Sequence, residues 1–341
     1  MVHMIKYFDK NLIQSVCNSN EFKGWLLSKR WFGDKSTLSN LEFEIRINYF
    51  EVIADRILLS IIEVKTSDYS KTYFLPLIYY EKLEEILEPI EKTREIIVKL
   101  TENTFSKKLA ISIEDEQKIF TLNFMEAEFC LFFWKKILFD TTISESFPSM
   151  DMELTLYTKQ FEDDINMKKV QNLIEAGLYP DRYELSLNQL GGGNTTNILF
   201  SLNISNKRNP EQPPVSYVLK SYKDYSISME PSTLFVLVKN KFPNSPKIYG
   251  TIKIHNKESI GIIESVPNLG NVGDIYWNEL NNMINKVFQN VNYDYSKYTE
   301  KSNVSILIKE NCIETIKVSS DIGQSTHILV GAVGKVTLSK M

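Results

Sequence analysis

Leu190–Leu202 reads LGGGNTTNILFSL. Three of the chain's 13 glycines stand side by side, two threonines follow, and an apolar alternation begins. Glycine lets other groups approach the main chain closely and accepts backbone conformations that other residues avoid. Such a cluster between strands is either a phosphate cradle, its N–H groups turned on an anion, or an ordinary hairpin turn. Two better-known phosphate fingerprints are absent: no G-x-x-x-x-G-K-[ST] occurs, and G-x-G-x-x-G needs a glycine where Thr196 stands.

The flanking segments bear on these readings. YELSLNQL (183–190) and NILFSLNI (197–204) alternate as strands, and NKRNPEQPP (206–214) is a polar, proline-rich connection. VSYVLKSY (215–222) is a β-branched strand carrying Lys220, and STLFVLVKNKF (232–242) has the pattern of a helix. PKIYGTIKI, the turn HNKE and SIGIIESV (246–266) form a hairpin, PNLGNVGD breaks the chain, and 275–291 is helical. A strand lysine alone is usually solvated. The order glycine turn, strand, lysine strand, helix, hairpin, linker is that of a kinase-type nucleotide lobe. There the lysine neutralises phosphate oxygens, and the linker offers backbone groups to the adenine edge.

Upstream, NLIQSVCNS and SNEFKGWLLSKRWF (11–32) predict two short helices, the second capped by Ser19 or Asn20. LEFEIRINYF (41–50), RILLSIIEVK (56–65) and KTYFLPLIYY (71–80) predict strands, and YEKLEEILEPIEK a helix ended by Pro89. REIIVKL, KKLAISI and KIFTLNF predict three more strands. EAEFCLFFWKKILFD (126–140) predicts a buried helix, its aromatic crowding that of a core. Residues 141–153 look like a loop at a boundary. EDDINMKKVQNLIEAGLY (162–179) predicts a helix whose acidic start suits the helix dipole.

Composition narrows the function classes. With 341 residues, 43% hydrophobic and 24% charged, the chain has room for two domains or one large domain. A net charge of −4 offers no basic excess for nucleic acid. The run EFCLFFWKKILF breaks at Lys135 and Lys136, short of the ~20 apolar residues a membrane helix needs, and no leader pattern opens the sequence. Cys17, Cys130 and Cys312 are too scattered for a disulfide framework or zinc cluster, so a reduced, cytoplasmic protein is expected. His3, His255 and His327 lack ligand spacing, which argues against a zinc enzyme or a Ser-His-Asp hydrolase.

Two separated matches carry a resemblance. WLLSKRWFGDK (Trp25–Lys35) is similar to a cap signature R-W-F-x-x-K. GGNTTNILFSL…YVLKSY, with NKFPNSPKIYG and IIESVPNLGNVGDIYW behind it, is similar to a phosphate loop, lysine strand and hinge. Together they resemble the maltokinases, sugar kinases built on an aminoglycoside-phosphotransferase-like fold with an N-terminal cap. In the cap match, Trp31 and Phe32 read as packing anchors with Arg30 and Lys35 at the rim.

The resemblance implies an α+β chain: a cap at 1–95, a bridging region at 96–180, a kinase-like nucleotide lobe (antiparallel sheet plus helix) at 181–266, and at 267–341 a hinge with only the first helices of a C-lobe. It implies ATP and magnesium, with transfer of the γ-phosphate to the anomeric hydroxyl of maltose or a related disaccharide. Position by position, Gly191, Gly192, Gly193, Asn194, Thr195 and Thr196 would cover the phosphates. Lys220 would bind the α and β phosphates, and the backbone of Glu264, Ser265 and Val266 would meet the adenine.

The chain also departs from the family. Glu230 sits at the helix entrance, and the next position expected to carry the glutamate holds Ser232, so the expected Lys–Glu pair is not evident. Beyond the hinge stand only Asp274, Asp294, Asp321 and His327, with no H-G-D-x-H-type loop. No catalytic or metal-binding side chain is therefore assigned. The expectation is a maltokinase-like protein inactive alone. The alternative is a non-catalytic binding or regulatory module acting with a trehalose- or glycogen-pathway enzyme or a separate C-lobe chain. Neither nucleic-acid nor membrane partners are expected.

Overall fold

Two antiparallel sheets organise the described part of the molecule, a computed structural model. It describes residues 10–38, 42–54, 56–83, 103–113, 116–140, 151–157, 161, 163–190, 196–226, 229–242, 245–266 and 276–282, with 285, 317 and 320 singly. The chain divides into two compact units. The first is Met1–Lys239 with Pro246–Ser265, and it holds both sheets. The second is Asn240–Ser245 with Val266–Met341, in which 276–282 are helical.

The first sheet contains β1 (Glu44–Ile53), β2 (Ile57–Lys65), β3 (Ser70–Phe74), β4 (Leu77–Tyr80), β5 (Thr104–Ile113) and β6 (Glu116–Glu126). Its order is β1-β2-β4-β6-β5, with β3 also paired to β2. β2 is buried on both faces from Ile57 to Ile62, which accounts for its unbroken apolar run. KTYFLPLIYY, read as one strand, is two. Pro76 has no N–H to donate, so the ladder to β2 breaks after Leu75, whose N–H still reaches the Ser60 carbonyl at 2.9 Å, and resumes at Leu77–Ile78.

α1 (Lys10–Cys17) and α2 (Asn20–Ser28) follow the predicted positions, and Ser19 caps α2 by accepting from the Phe22 N–H. A short helix, α3 (Lys35–Leu38), comes next. α1 buries Ile13, Val16 and Cys17. Its end protects edge strand β1: Gln14 Oε1 accepts from Ile47 N–H at 2.9 Å, and Asn18 Oδ1 from Ile45 N–H at 2.9 Å. A 3-10 turn (Ala127–Phe129) and α4 (Leu131–Phe139) then carry the aromatic stretch, with Phe133 and Trp134 fully buried. The helix pattern at 80–92 and the strand pattern REIIVKL fall mostly or wholly outside the described residues.

The second sheet contains β7 (Met152–Leu156), β8 (Tyr183–Gln189), β9 (Asn197–Asn206), β10 (Val215–Tyr222), β11 (Ile248–Ile254) and β12 (Lys257–Glu264). Its order is β7-β11-β12-β10-β9-β8. β7 begins within the stretch read as a loop. The region 96–180 thus supplies strands to both sheets: β5 and β6 to the first, β7 to the second.

α5 (Asp164–Leu178) and α4 cover one face of this sheet. Tyr217 donates to the Lys169 carbonyl at 2.7 Å, and the Trp134 and Phe200 rings meet at 5.9 Å. α6 (Glu230–Lys239) takes the other face, where Phe235 packs on Tyr157 with ring centres 4.8 Å apart. Among the described residues no helix is long and apolar enough to cross a membrane.

Candidate functional site

β10 alternates strictly. Tyr217, Leu219 and Ser221 point to the buried core, whereas Val218, Lys220 and Tyr222 take the α6 face. Lys220 lies opposite Leu199 on β9 and Gly261 on β12. Leu199 carbonyl accepts from the Leu190 N–H at 2.9 Å, closing the base of the glycine turn. Register therefore places Lys220 one strand away from the base of that turn. Gly191 to Thr195 lie outside the described residues. Thr196 is exposed, and a Cβ on Gly33 would stand 3.8 Å from its methyl group.

The Lys220 ammonium donates to both oxygens of Glu230 at 2.7 Å. Their side chains are 17% and 40% exposed. The pair that the helix-entrance position of Glu230 made doubtful is thus formed: the first residue of α6 sits over β10 and reaches sideways to the lysine. Lys220 also lies over the Tyr222 ring, 5.5 Å from its centre. The Tyr222 hydroxyl is buried without a hydrogen-bond partner, and a Cβ on Gly261 would come 3.2 Å from it. Burial pushes its pKa far up, with Glu230 and Glu258 adding to the rise.

Glu264 ends β12. Its N–H is donated to the Lys247 carbonyl at 2.7 Å, and its carboxylate faces Lys169 at 3.5 Å. Ser265 closes the first unit, and Val266, half exposed, belongs to the second.

The sequence reading missed a quartet of buried charges at the core side of the β10 end. Lys29, Glu126, Glu128 and Lys223 are 5%, 1%, 0% and 0% exposed. Lys29 pairs with Glu126 at 3.0 Å and donates to Asn103 at 3.0 Å. Trp31 donates its indole N–H to Glu126, and Lys223 lies over the Trp31 ring at 5.0 Å. Glu128 accepts from Ser221 at 2.9 Å and from the Lys223 ammonium, while its other oxygen has no partner. Burial raises the Glu128 pKa against the pull of Lys223, and Glu126 adds to the rise. Burial also lowers that of Lys29, against Glu126. One signal was available in the sequence: Lys223 is in phase with Tyr217 and Leu219, the buried side of β10.

A smaller polar group lies beside it. Lys71 bridges Asp34 at 3.4 Å and Asp224 at 3.1 Å, and Tyr73 donates to Asp34. Among the described residues no group of three or more His, Cys, Asp or Glu side chains is placed to hold a metal ion. Asp274, Asp294, Asp321 and His327 lie outside them. No model of a known protein family matches the chain, and no curated protein matches it.

Proposed function

We propose that the second sheet is a kinase-type nucleotide lobe and that the chain is a maltokinase-like protein binding ATP. The observation that carries this reading is Lys220 held by both oxygens of Glu230 at 2.7 Å, one strand from the base of the glycine turn. The pairing of a strand lysine with a helix glutamate is what kinases use to present an ammonium to phosphate oxygens. The strand order supports it too. β12 lies beside β10, so the exit of the hairpin emerges next to the lysine strand, where a linker can meet a base. The partly exposed Val218 and Leu199 offer that face an apolar wall.

In this reading the glycine turn supplies N–H donors to the phosphates, and Lys220 neutralises their charge. The Glu264 N–H is already engaged, so base contacts fall to other backbone groups of 264–266. Magnesium is given no residue and no step. The sugar acceptor rests on the resemblance alone, and the described residues supply no base for its hydroxyl.

Calorimetric titration of ATP into the chain and its Lys220→Ala variant tests the proposal. We expect binding by the parent, weakened about tenfold or more in the variant. We also expect no maltose 1-phosphate from the pure chain incubated with ATP and maltose. Equal or absent binding in both proteins overturns the reading.

A further inference from the structure

We infer that the buried quartet Lys29, Glu126, Glu128 and Lys223 is a positioning device: it clamps the end of β10 from the core side and so sets where Lys220 stands on the opposite face. The inference deepens the nucleotide reading and rests on it for its affinity consequence.

Alternation separates the two faces. Glu128 grips Ser221 and Lys223, the residues on either side of Tyr222, whose ring supports Lys220. The backbone just beyond β10 is held as well. Phe74 N–H donates to the Lys223 carbonyl at 2.8 Å, and Tyr225 N–H to the Thr72 carbonyl at 2.9 Å. β3 of the first sheet is therefore bridged to the segment that follows the lysine strand. The segment supplying Lys29 and Trp31 continues to Gly33, where an added Cβ would stand 3.8 Å from the Thr196 methyl group. The same segment thus runs from the clamp to the neighbourhood of Thr196.

Energetics argues for position over stability. Four charges at most 5% exposed are costly to desolvate, and well-packed apolar side chains often replace such groups without loss. One Glu128 oxygen has no side-chain partner, which adds to that cost. What the quartet does supply is a directional hold on two residues of β10.

The test uses the full chain with Glu128→Leu and Lys223→Met together, which leaves Lys29 paired with Glu126. We expect a melting temperature equal to or above the parent's. We expect ATP affinity, measured well below that temperature, to fall about tenfold, a coupling of ordinary size. Unchanged affinity in a folded variant that still loses binding with Lys220→Ala overturns this inference and leaves the nucleotide reading intact.

A second measurement needs neither ATP nor the double variant. Lysines carrying 13C-methyl groups are observed by NMR in the parent and in Glu128→Gln, with the Lys220 signal assigned by its loss in Lys220→Arg. A changed chemical shift for Lys220 in Glu128→Gln is expected, and an unchanged signal overturns the inference even if the parent binds no nucleotide.

Discussion

Glu230 is 40% exposed, so its pair with Lys220 resembles a surface ion pair, worth about 1 kcal/mol or less. Its importance lies in aim: with two oxygens at 2.7 Å, it stops a flexible side chain from wandering. Glu230→Gln should therefore lower the melting temperature by no more than about 2 °C, since that is what roughly 1 kcal/mol costs a chain of this size. ATP affinity should fall by about threefold to tenfold, within the range for a lost charge-assisted contact. Thermal melts and calorimetry read the two effects, and a large stability loss with unchanged affinity would reverse the assignment. Lys220 was legible because a lysine inside a β-branched run is conspicuous. Glu230 as its partner was not, because the contact depends on how α6 crosses the sheet. Lys29 resembles a solvated lysine in every local respect, and only the fold around it removes water.

At the scale of elements, the close fit of β7 to β11 rests on Gly250. A Cβ there would stand 2.6 Å from the Thr155 carbonyl oxygen and 2.8 Å from a Leu156 methyl. The obstructing oxygen is backbone, so relief requires β7 to move off β11. Gly250→Ala should cost about 1–3 kcal/mol by overpacking. Amide exchange at 152–156 should quicken more than elsewhere in the sheet. Chemical denaturation and exchange mass spectrometry measure both, and an alanine variant as stable as the parent would contradict the packing. β7 escaped the sequence reading for a physical reason: five residues leaving a loop-like stretch, four half-buried and Glu153 exposed, have too short an alternation to register. The long strands β9 and β10 were legible because period two runs through most of their length, and β2 because its apolar run is unbroken. Pro76 was visible too, but its effect, two pairings to the same β2, appears only in the assembled sheet.

At the scale of the whole molecule, acid should unfold the chain through specific aspartates. Burial works against ionisation of Asp34, yet hydrogen bonds and the Lys71 charge hold its pKa below 3.8. Asp224 is likewise held down against burial, by the Ser226 N–H and Lys71. Asp163, capping α5, is held down by bonds from Asn166. Depressed folded values mean that the unfolded chain binds more protons, so this stability is complete above the unfolded value and drains as pH falls through the folded ones. Melts recorded from about pH 6 to pH 3 should show that loss, with a shallower slope in Asp34→Asn. A slope identical to the parent's would remove Asp34 from the account.

By itself the sequence determined the long strands of both sheets, the glycine run between β8 and β9 and the strand bearing Lys220. Each is set by near neighbours, through a repeat of two or 3.6 residues and the backbone freedom of glycine. Only the tertiary structure decided the order β7-β11-β12-β10-β9-β8, the reach of Glu230 to Lys220 and the burial of four charges behind them. Those depend on which distant segments meet and on where water is excluded, and neither is written in any local stretch of chain.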